Sequence, residues 1–170
     1  MKRLSLFGTM CLVALSFGLF TNCSDDSGSG SGSGGNGNNS MYVDLGLPSG
    51  TKWKMQNEST NNYYTFDEAV NRFGNQLPTQ TQWIELYNEC TWYWNGDGYS
   101  VFGPNGNSIE LPALGRNYNN YELGLNGYYW TSTSAGAEVA KCMFFDASQG
   151  YIISDYRDEA LSVRLVQQSR

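Results

Sequence analysis

Apolar positions in this chain fall into short runs closed by turn residues, and two of the runs repeat with a helical period. Phe66, Ala69, Val70 and Phe73 stand at i, i+3, i+4 and i+7, which puts them on one helical face. Thr65 precedes them with Glu68 three residues on, the spacing of a capping box, and Gly74 follows as a stop. Trp83, Leu86, Tyr87 and Cys90 repeat the spacing behind Pro78, with Thr79 and Gln82 in the capping places. Two helices are therefore predicted, the second ending with Cys90 turned toward the core.

The remaining runs read as strands. Met41–Leu47, turned by Pro48-Ser49-Gly50, is met by Thr51–Met55 as a hairpin partner, and Gln56–Tyr63 is a polar loop. Thr91–Trp94 and Tyr99–Phe102 flank Asn95-Gly-Asp-Gly98 as a second hairpin, and Gly103–Ser108 turns into Ile109–Leu111. Pro112–Asn126 lacks periodicity, and a loop of that length in a compact domain usually carries function or is disordered. Gly127–Thr133, the run from Val139 through Lys141–Asp146, and Tyr151–Ile153 then predict a central sheet on which the upstream elements pack. Leu161, Val163 and Leu165 alternate with Ser162 and Arg164, the pattern of a half-buried strand with Arg164 facing outward.

The first 40 residues have a different character. Lys2 and Arg3 precede an apolar stretch from Leu4 to Phe20 that is shorter than the roughly 20 residues a spanning helix needs, so residues 1–22 are expected to be an export signal. Thr21-Asn22-Cys23 looks like a lipobox, with Cys23 as the lipidated residue, and Ser24-Asp25-Asp26 resembles the export tag of surface-displayed lipoproteins in the Bacteroidetes. Residues 23–40 add Gly, Ser and Asn without an apolar residue from Ser27 on, a flexible tether of roughly 20–25 Å. The expected address is the outer membrane, lipid-anchored and facing the cell exterior, with residues 41–170 as one folded domain.

Charge and residue usage narrow the chemistry. Removing residues 1–22 takes away Lys2 and Arg3 and no acid, leaving 8 basic against 16 acidic residues, a net charge of −8. Such a chain is not expected to bind nucleic acid, and its membrane contact should run through the N-terminal lipid alone. The sequence has no histidine, which removes imidazole bases, histidine-containing triads and the commonest zinc ligand. Beyond Cys11 and Cys23, Cys90 and Cys142 remain. In an exported chain they would either close a disulfide across a loop of roughly fifty residues, contributing about 4 kcal/mol in the chain-entropy model, or sit as two buried thiols.

Several stretches match one family in order. They are Tyr42–Trp53 with its Asp-Leu-Gly-Leu-Pro-Ser-Gly core, Leu77-Pro-Thr79 with Trp83, Cys90-Thr-Trp92, Gly103–Ile109, Leu111-Pro-Ala113, Tyr129–Thr133, and Arg157 followed by Ser162–Val166. Together they resemble the Fibrobacter succinogenes major paralogous domain, common in Bacteroidetes lipoproteins and related to C-type-lectin-like folds. Ala160 stands where that family usually has Gly. The resemblance implies an α+β, C-type-lectin-like fold, with two helices flanking twisted, mostly antiparallel sheets and a long loop region presenting the binding surface.

Calcium-dependent sugar binding in C-type lectins uses Glu-Pro-Asn or Gln-Pro-Asp followed by Trp-Asn-Asp. Gly103-Pro-Asn105 lacks the first acid, and Trp94-Asn-Gly-Asp97 carries an extra Gly and precedes the proline motif. Neither a metal nor another cofactor is expected, and both motifs read more simply as hairpin turns. Ligand contact is expected instead from aromatic and guanidinium groups around the long loop: Trp94, Tyr99, Tyr118, Tyr121 and Tyr156, with Arg116 and Arg157 as bidentate anchors. Each arginine would otherwise pair with Asp155, Asp158 or Glu159. Trp92, Tyr129 and Trp130 are expected in the core. The chain is thus expected to bind a glycan or protein ligand without catalysis, or else to serve as an accessory subunit of a surface assembly or adhesin.

Overall fold

The computed structural model describes residues 41–58, 63–116 and 122–168. In chain order the elements are β1 (Tyr42–Asp44), β2 (Lys52–Lys54), α1 (Phe66–Phe73), a short 3-10 turn (Gly74–Gln76), α2 (Gln80–Glu89), β3 (Thr91–Trp94), β4 (Gly98–Phe102), β5 (Ser108–Pro112), β6 (Gly127–Ser134), β7 (Val139–Phe145), β8 (Gly150–Tyr156) and β9 (Val166–Gln167). Mixed α+β architecture is what the patterning predicts, but the strands form three small sheets, ordered β1-β2-β9, β3-β4-β5 and β6-β7-β8, all with antiparallel pairing.

Both helices begin where their side chains supply the missing hydrogen-bond partners. Thr65 and Glu68 form a reciprocal capping box on α1, as Thr79 and Gln82 do on α2, satisfying amide donors that an uncapped first turn leaves open. Gly74, at φ +52°, closes α1 by donating its N–H to the Val70 carbonyl. Phe66, Ala69 and Phe73 on α1, and Trp83 and Leu86 on α2, are buried.

The β6-β7-β8 sheet is apolar on both faces, and the strand alternation sends its side chains into two separate cores. Tyr129, Met143 and Phe145 join Trp53, Trp83, Leu86, Val101 and Leu111 on the α2 side. Tyr128, Trp130, Ala140 and Cys142 join Tyr64, Phe66, Ala69, Leu161 and Val163 on the α1 side. Buried Trp and Tyr groups find partners: Trp130 Nε1 donates to the Tyr64 carbonyl at 2.7 Å, and the Tyr129 hydroxyl donates to the Pro112 carbonyl at 2.7 Å.

The C-terminal segment differs from the expected half-buried strand. Every residue from Leu161 to Val166 is buried, and regular pairing is confined to Val166–Gln167 against Lys52 and Trp53. Ser162 bridges in parallel to Tyr129, Leu161 bridges to Tyr64, and the segment then crosses to β2, tying two sheets together. Arg164 is accordingly 1 % exposed and does not face outward. Its guanidinium donates to Asn57 Oδ1 at 2.8 Å, to the carbonyls of Lys54 at 2.8 Å and Met55 at 2.6 Å, and to the Glu110 carbonyl. Alternation misleads here because a guanidinium can be buried wherever backbone carbonyls converge to receive its planar fork.

Cys90 and Cys142 are free thiols. Cys90 packs against the α2-side core and Cys142 lies inside the α1-side core, so the sheet that carries Cys142 holds the two apart. A disulfide between them would require that sheet to turn its faces over.

Candidate ligand-binding site

Of the expected ligand-facing residues, those described are mostly held in contacts within the fold. Tyr99 is 8 % exposed, packs edge-on against Trp92 and Trp94, and donates its hydroxyl to the Asp146 carbonyl at 2.9 Å. Trp94 is half-buried against that ring at 5.0 Å. Arg116 is held by Asp155 at 3.3 Å and lies 4.4 Å over the Tyr128 ring, whose hydroxyl donates to Glu122. It joins the two ends of the long loop to β8, and pairing with Asp155 is the structural alternative to ligand contact. Burial raises the Asp155 carboxyl above its ordinary value, against the opposing pull of Arg116.

Arg157 pairs with Asp67, donates to Ser134 Oγ and the Gly136 carbonyl, and lies 4.5 Å over the Phe66 ring. None of Asp155, Asp158 and Glu159 is its partner in that arrangement. Tyr156 is 61 % exposed, as expected. Tyr118, Tyr121 and Cys23 lie outside the described residues.

A different surface gathers ligand-type groups. In β3-β4-β5 the inward side chains are Trp92, Trp94, Tyr99, Val101, Ile109 and Leu111, all on the α2-side core. The outward face then presents two cross-strand rows, Tyr93-Ser100-Glu110 and Thr91-Phe102-Ser108. Tyr93 is 65 % and Phe102 43 % exposed. Tyr93 ends the first row and Phe102 follows Ser100 on the same face of β4, so the two rings are diagonal neighbours about 7–8 Å apart.

That polar row is a closed network. Asn95 Nδ2 donates to Ser100 Oγ at 3.3 Å and to Glu110 Oε2 at 3.0 Å, and Ser100 Oγ donates to the same Glu110 oxygen at 2.9 Å. The Asn95 carbonyl oxygen meanwhile accepts from the Asp97 N–H at 3.1 Å and shapes the hairpin turn. A cleft of about 210 Å³, lined by Asn95, Asp97, Gly98, Glu110, Leu111 and Pro112, continues the face at this end. The Ala113 N–H donates to the Asp97 carbonyl and the Gly124 N–H to the Ala113 carbonyl, which seats the long loop beside the cleft.

The β4–β5 turn is equally fixed. The Asn105 and Asn107 side-chain amides both donate to the Asp44 carbonyl, and a Cβ on Gly103 would stand 2.1 Å from the Leu45 carbonyl oxygen. Asn95 and Asn105 are therefore turn and docking residues, as the hairpin reading of both motifs has it. Among the described residues, no group of three or more acidic or thiol side chains is placed to hold a metal ion, and no helix is long and apolar enough to cross a membrane.

A second cleft, of about 220 Å³, opens between α2 and β8, with Ile84, Tyr87 and Tyr151 at its rim and Trp83 and Met143 at its floor. Its lining is almost wholly apolar, with Asn88 as the polar side chain.

Sequence reasoning missed Tyr93 and Phe102 through strand parity. Trp92 and Trp94 draw the eye, but they share a side with Val101 and Tyr99, and the ring between them takes the other. The polarity of Ser100 and Glu110, on the same side as Tyr93, is the signal that separates the two faces. Comparison with protein-family models, with curated proteins and with solved structures found no match to this chain.

Proposed function

We propose that this chain is a surface-anchored lipoprotein whose folded domain binds glycans without catalysis through the outward face of β3-β4-β5. One observation carries the reading: two exposed rings stand beside a pre-ordered amide–hydroxyl–carboxylate network on one strand face. Rings of this kind offer apolar faces to sugar C–H groups at low entropic cost, and an ordered carboxylate accepts sugar hydroxyls without first being organised. The lipid anchor at Cys23, the outer-membrane address and the family resemblance belong to the same proposal. The C-type-lectin-like form of the α+β fold does too, supported by two helices, small antiparallel sheets and a long loop in the order the resemblance implies.

Immobilised-glycan binding by the purified chain tests the reading, with Tyr93→Ala and Phe102→Ala as variants. Saturable binding that either substitution weakens at least tenfold, with unfolding midpoints unchanged, is the expected result. Undiminished binding by the double variant would remove the site from this face.

The apolar cleft between α2 and β8 favours a second reading, an accessory subunit of a surface assembly. In that case the chain would self-associate through Ile84, Tyr87 and Tyr151. Light scattering on the wild type and on Ile84→Lys separates the two readings, since only the second predicts a change in mass.

A further inference from the structure

We infer that the ligand of the β3-β4-β5 face is a hydroxyl-rich glycan free of acidic groups, and that amino sugars bind it more tightly than their N-acetylated forms. This rests on the glycan reading above and names the class of sugar. The argument is an account of hydrogen-bond valences. A side-chain amide has two N–H donors and a serine hydroxyl has one. Asn95 Nδ2 contacts both Ser100 Oγ and Glu110 Oε2, and the Ser100 hydroxyl donates to Glu110 Oε2. Glu110 Oε1 accepts from no described residue. The exposed carboxylate oxygen is thus an open acceptor on this face, ready for a proton that a ligand brings. The hydroxyls of Thr91, Tyr93 and Ser108 accept as readily as they donate and leave that polarity in place.

Charge points the same way. Between Arg72 and Arg116 the sequence has no Lys or Arg, while it carries Glu85, Glu89, Asp97 and Glu110. Arg164 reaches the Glu110 carbonyl, but its guanidinium is 1 % exposed, spends its donors on the core and offers none to the outward face. A uronate or sulfate ester placed beside Glu110 would meet a carboxylate that, among the described residues, no Lys or Arg side chain pairs. A protonated amine would meet an exposed carboxylate with a free oxygen, an ion pair that strengthens binding by about two- to fivefold at low salt.

The test is binding of the full-length chain to three oligosaccharide series of equal length: N-acetylglucosamine, glucosamine, and a uronic-acid series. Buffer should be acidic enough to keep the amine protonated and low in salt, and Glu110→Gln should run alongside. The expected result is tightest binding to glucosamine, weaker binding to the N-acetylated series and none to the acidic one. Glu110→Gln should erase the two- to fivefold preference, read as the ratio of glucosamine to N-acetylglucosamine affinity in the same variant, whatever it does to either affinity alone. Added salt should erase the preference in the wild type as well. Equal or tighter binding of the acidic series overturns the inference and leaves the glycan reading standing, as does an amine preference that survives in Glu110→Gln. Binding to none of the three overturns both.

Discussion

Replacing Arg164 with Met tests the account of this fold most directly. The guanidinium sits in the interior, with no carboxylate paired to it among the described residues; its charge is answered by the carbonyls of Lys54, Met55 and Glu110 and by Asn57 Oδ1. Burial lowers its pKa from the ordinary arginine value. Hydrogen bonds to a charged group contribute roughly 1.5–3 kcal/mol each, against a desolvation cost of several kcal/mol for the ion. Methionine fills similar volume and removes that cost, yet it leaves four part-buried acceptors without their donor, at about 1–3 kcal/mol apiece. Partial relaxation and water entry bring the expected net loss to about 3–5 kcal/mol, the range seen when one member of a buried polar pair is removed.

That loss is a large part of the roughly 5–15 kcal/mol that holds a domain together. With a slope near 2 kcal/mol per molar urea, the midpoint followed by tryptophan fluorescence should fall by about 1.5–2.5 M with the slope unchanged. Arg164→Lys should lose about 2–3 kcal/mol, because an ammonium retains charge and donors but cannot span from Asn57 to Glu110. A loss under about 1 kcal/mol for Arg164→Met would mean that solvent satisfies these carbonyls, and the reasoning would fail.

Three other outcomes follow from local geometry. Thr79→Ala removes the acceptor for the Gln82 N–H and should cost about 1 kcal/mol, seen as a fall of about 3–5 °C in Tm. Gly103→Ala drives a methyl into the Leu45 carbonyl, which cannot swing away as a side chain would, and should cost about 2–3 kcal/mol by urea titration. Burial pushes the Cys90 thiol up to about 11 and Cys142 higher still, with Glu89 and Glu85 adding to the first shift and Asp155 to the second. A disulfide-exchange reagent should therefore find almost no thiolate in the native chain near neutrality, and both thiols should react in urea without reductant; a titre of none in urea would mean a bridge. Because these folded-state values lie above the unfolded ones, the native state keeps protons that the unfolded chain releases. Stability should accordingly decline as pH climbs from the ordinary thiol range toward 11, a decline that Cys90→Ala/Cys142→Ala flattens.

What could be read in advance divides along physical lines. The helices were legible because a cap, a period and a stop agree within ten or so residues: Thr65 with Glu68, Thr79 with Gln82, Gly74. Sheet membership was less so, since it depends on which distant strand lies alongside, and the three separate sheets are set by contacts such as Trp53 to Val166. Leu161–Val166 has the alternation of an edge strand and the burial of a core segment. Period alone cannot tell these apart when the polar members, Ser162 and Arg164, find partners inside. Cys90 and Cys142 each face a core, and only the parity of Cys142 against Met143 shows that the cores differ. At the candidate site, counting aromatics favoured Trp94 and Tyr99, whereas following the register from Ser100 and Glu110 leads to Tyr93.

The crossing segment also bears on the order in which this protein can be completed. Residues 160–167 supply the plug of the α1-side core, the second neighbour of β2 and the guanidinium that quiets three backbone carbonyls. During synthesis, at about 5–20 residues per second, everything N-terminal to them emerges first. Until they arrive, Lys54, Met55 and Glu110 face an unfilled gap and the two cores have no common seam. The crossing segment therefore acts as a latch: the elements before it cannot close both cores or join β2 to its second neighbour until it is in place.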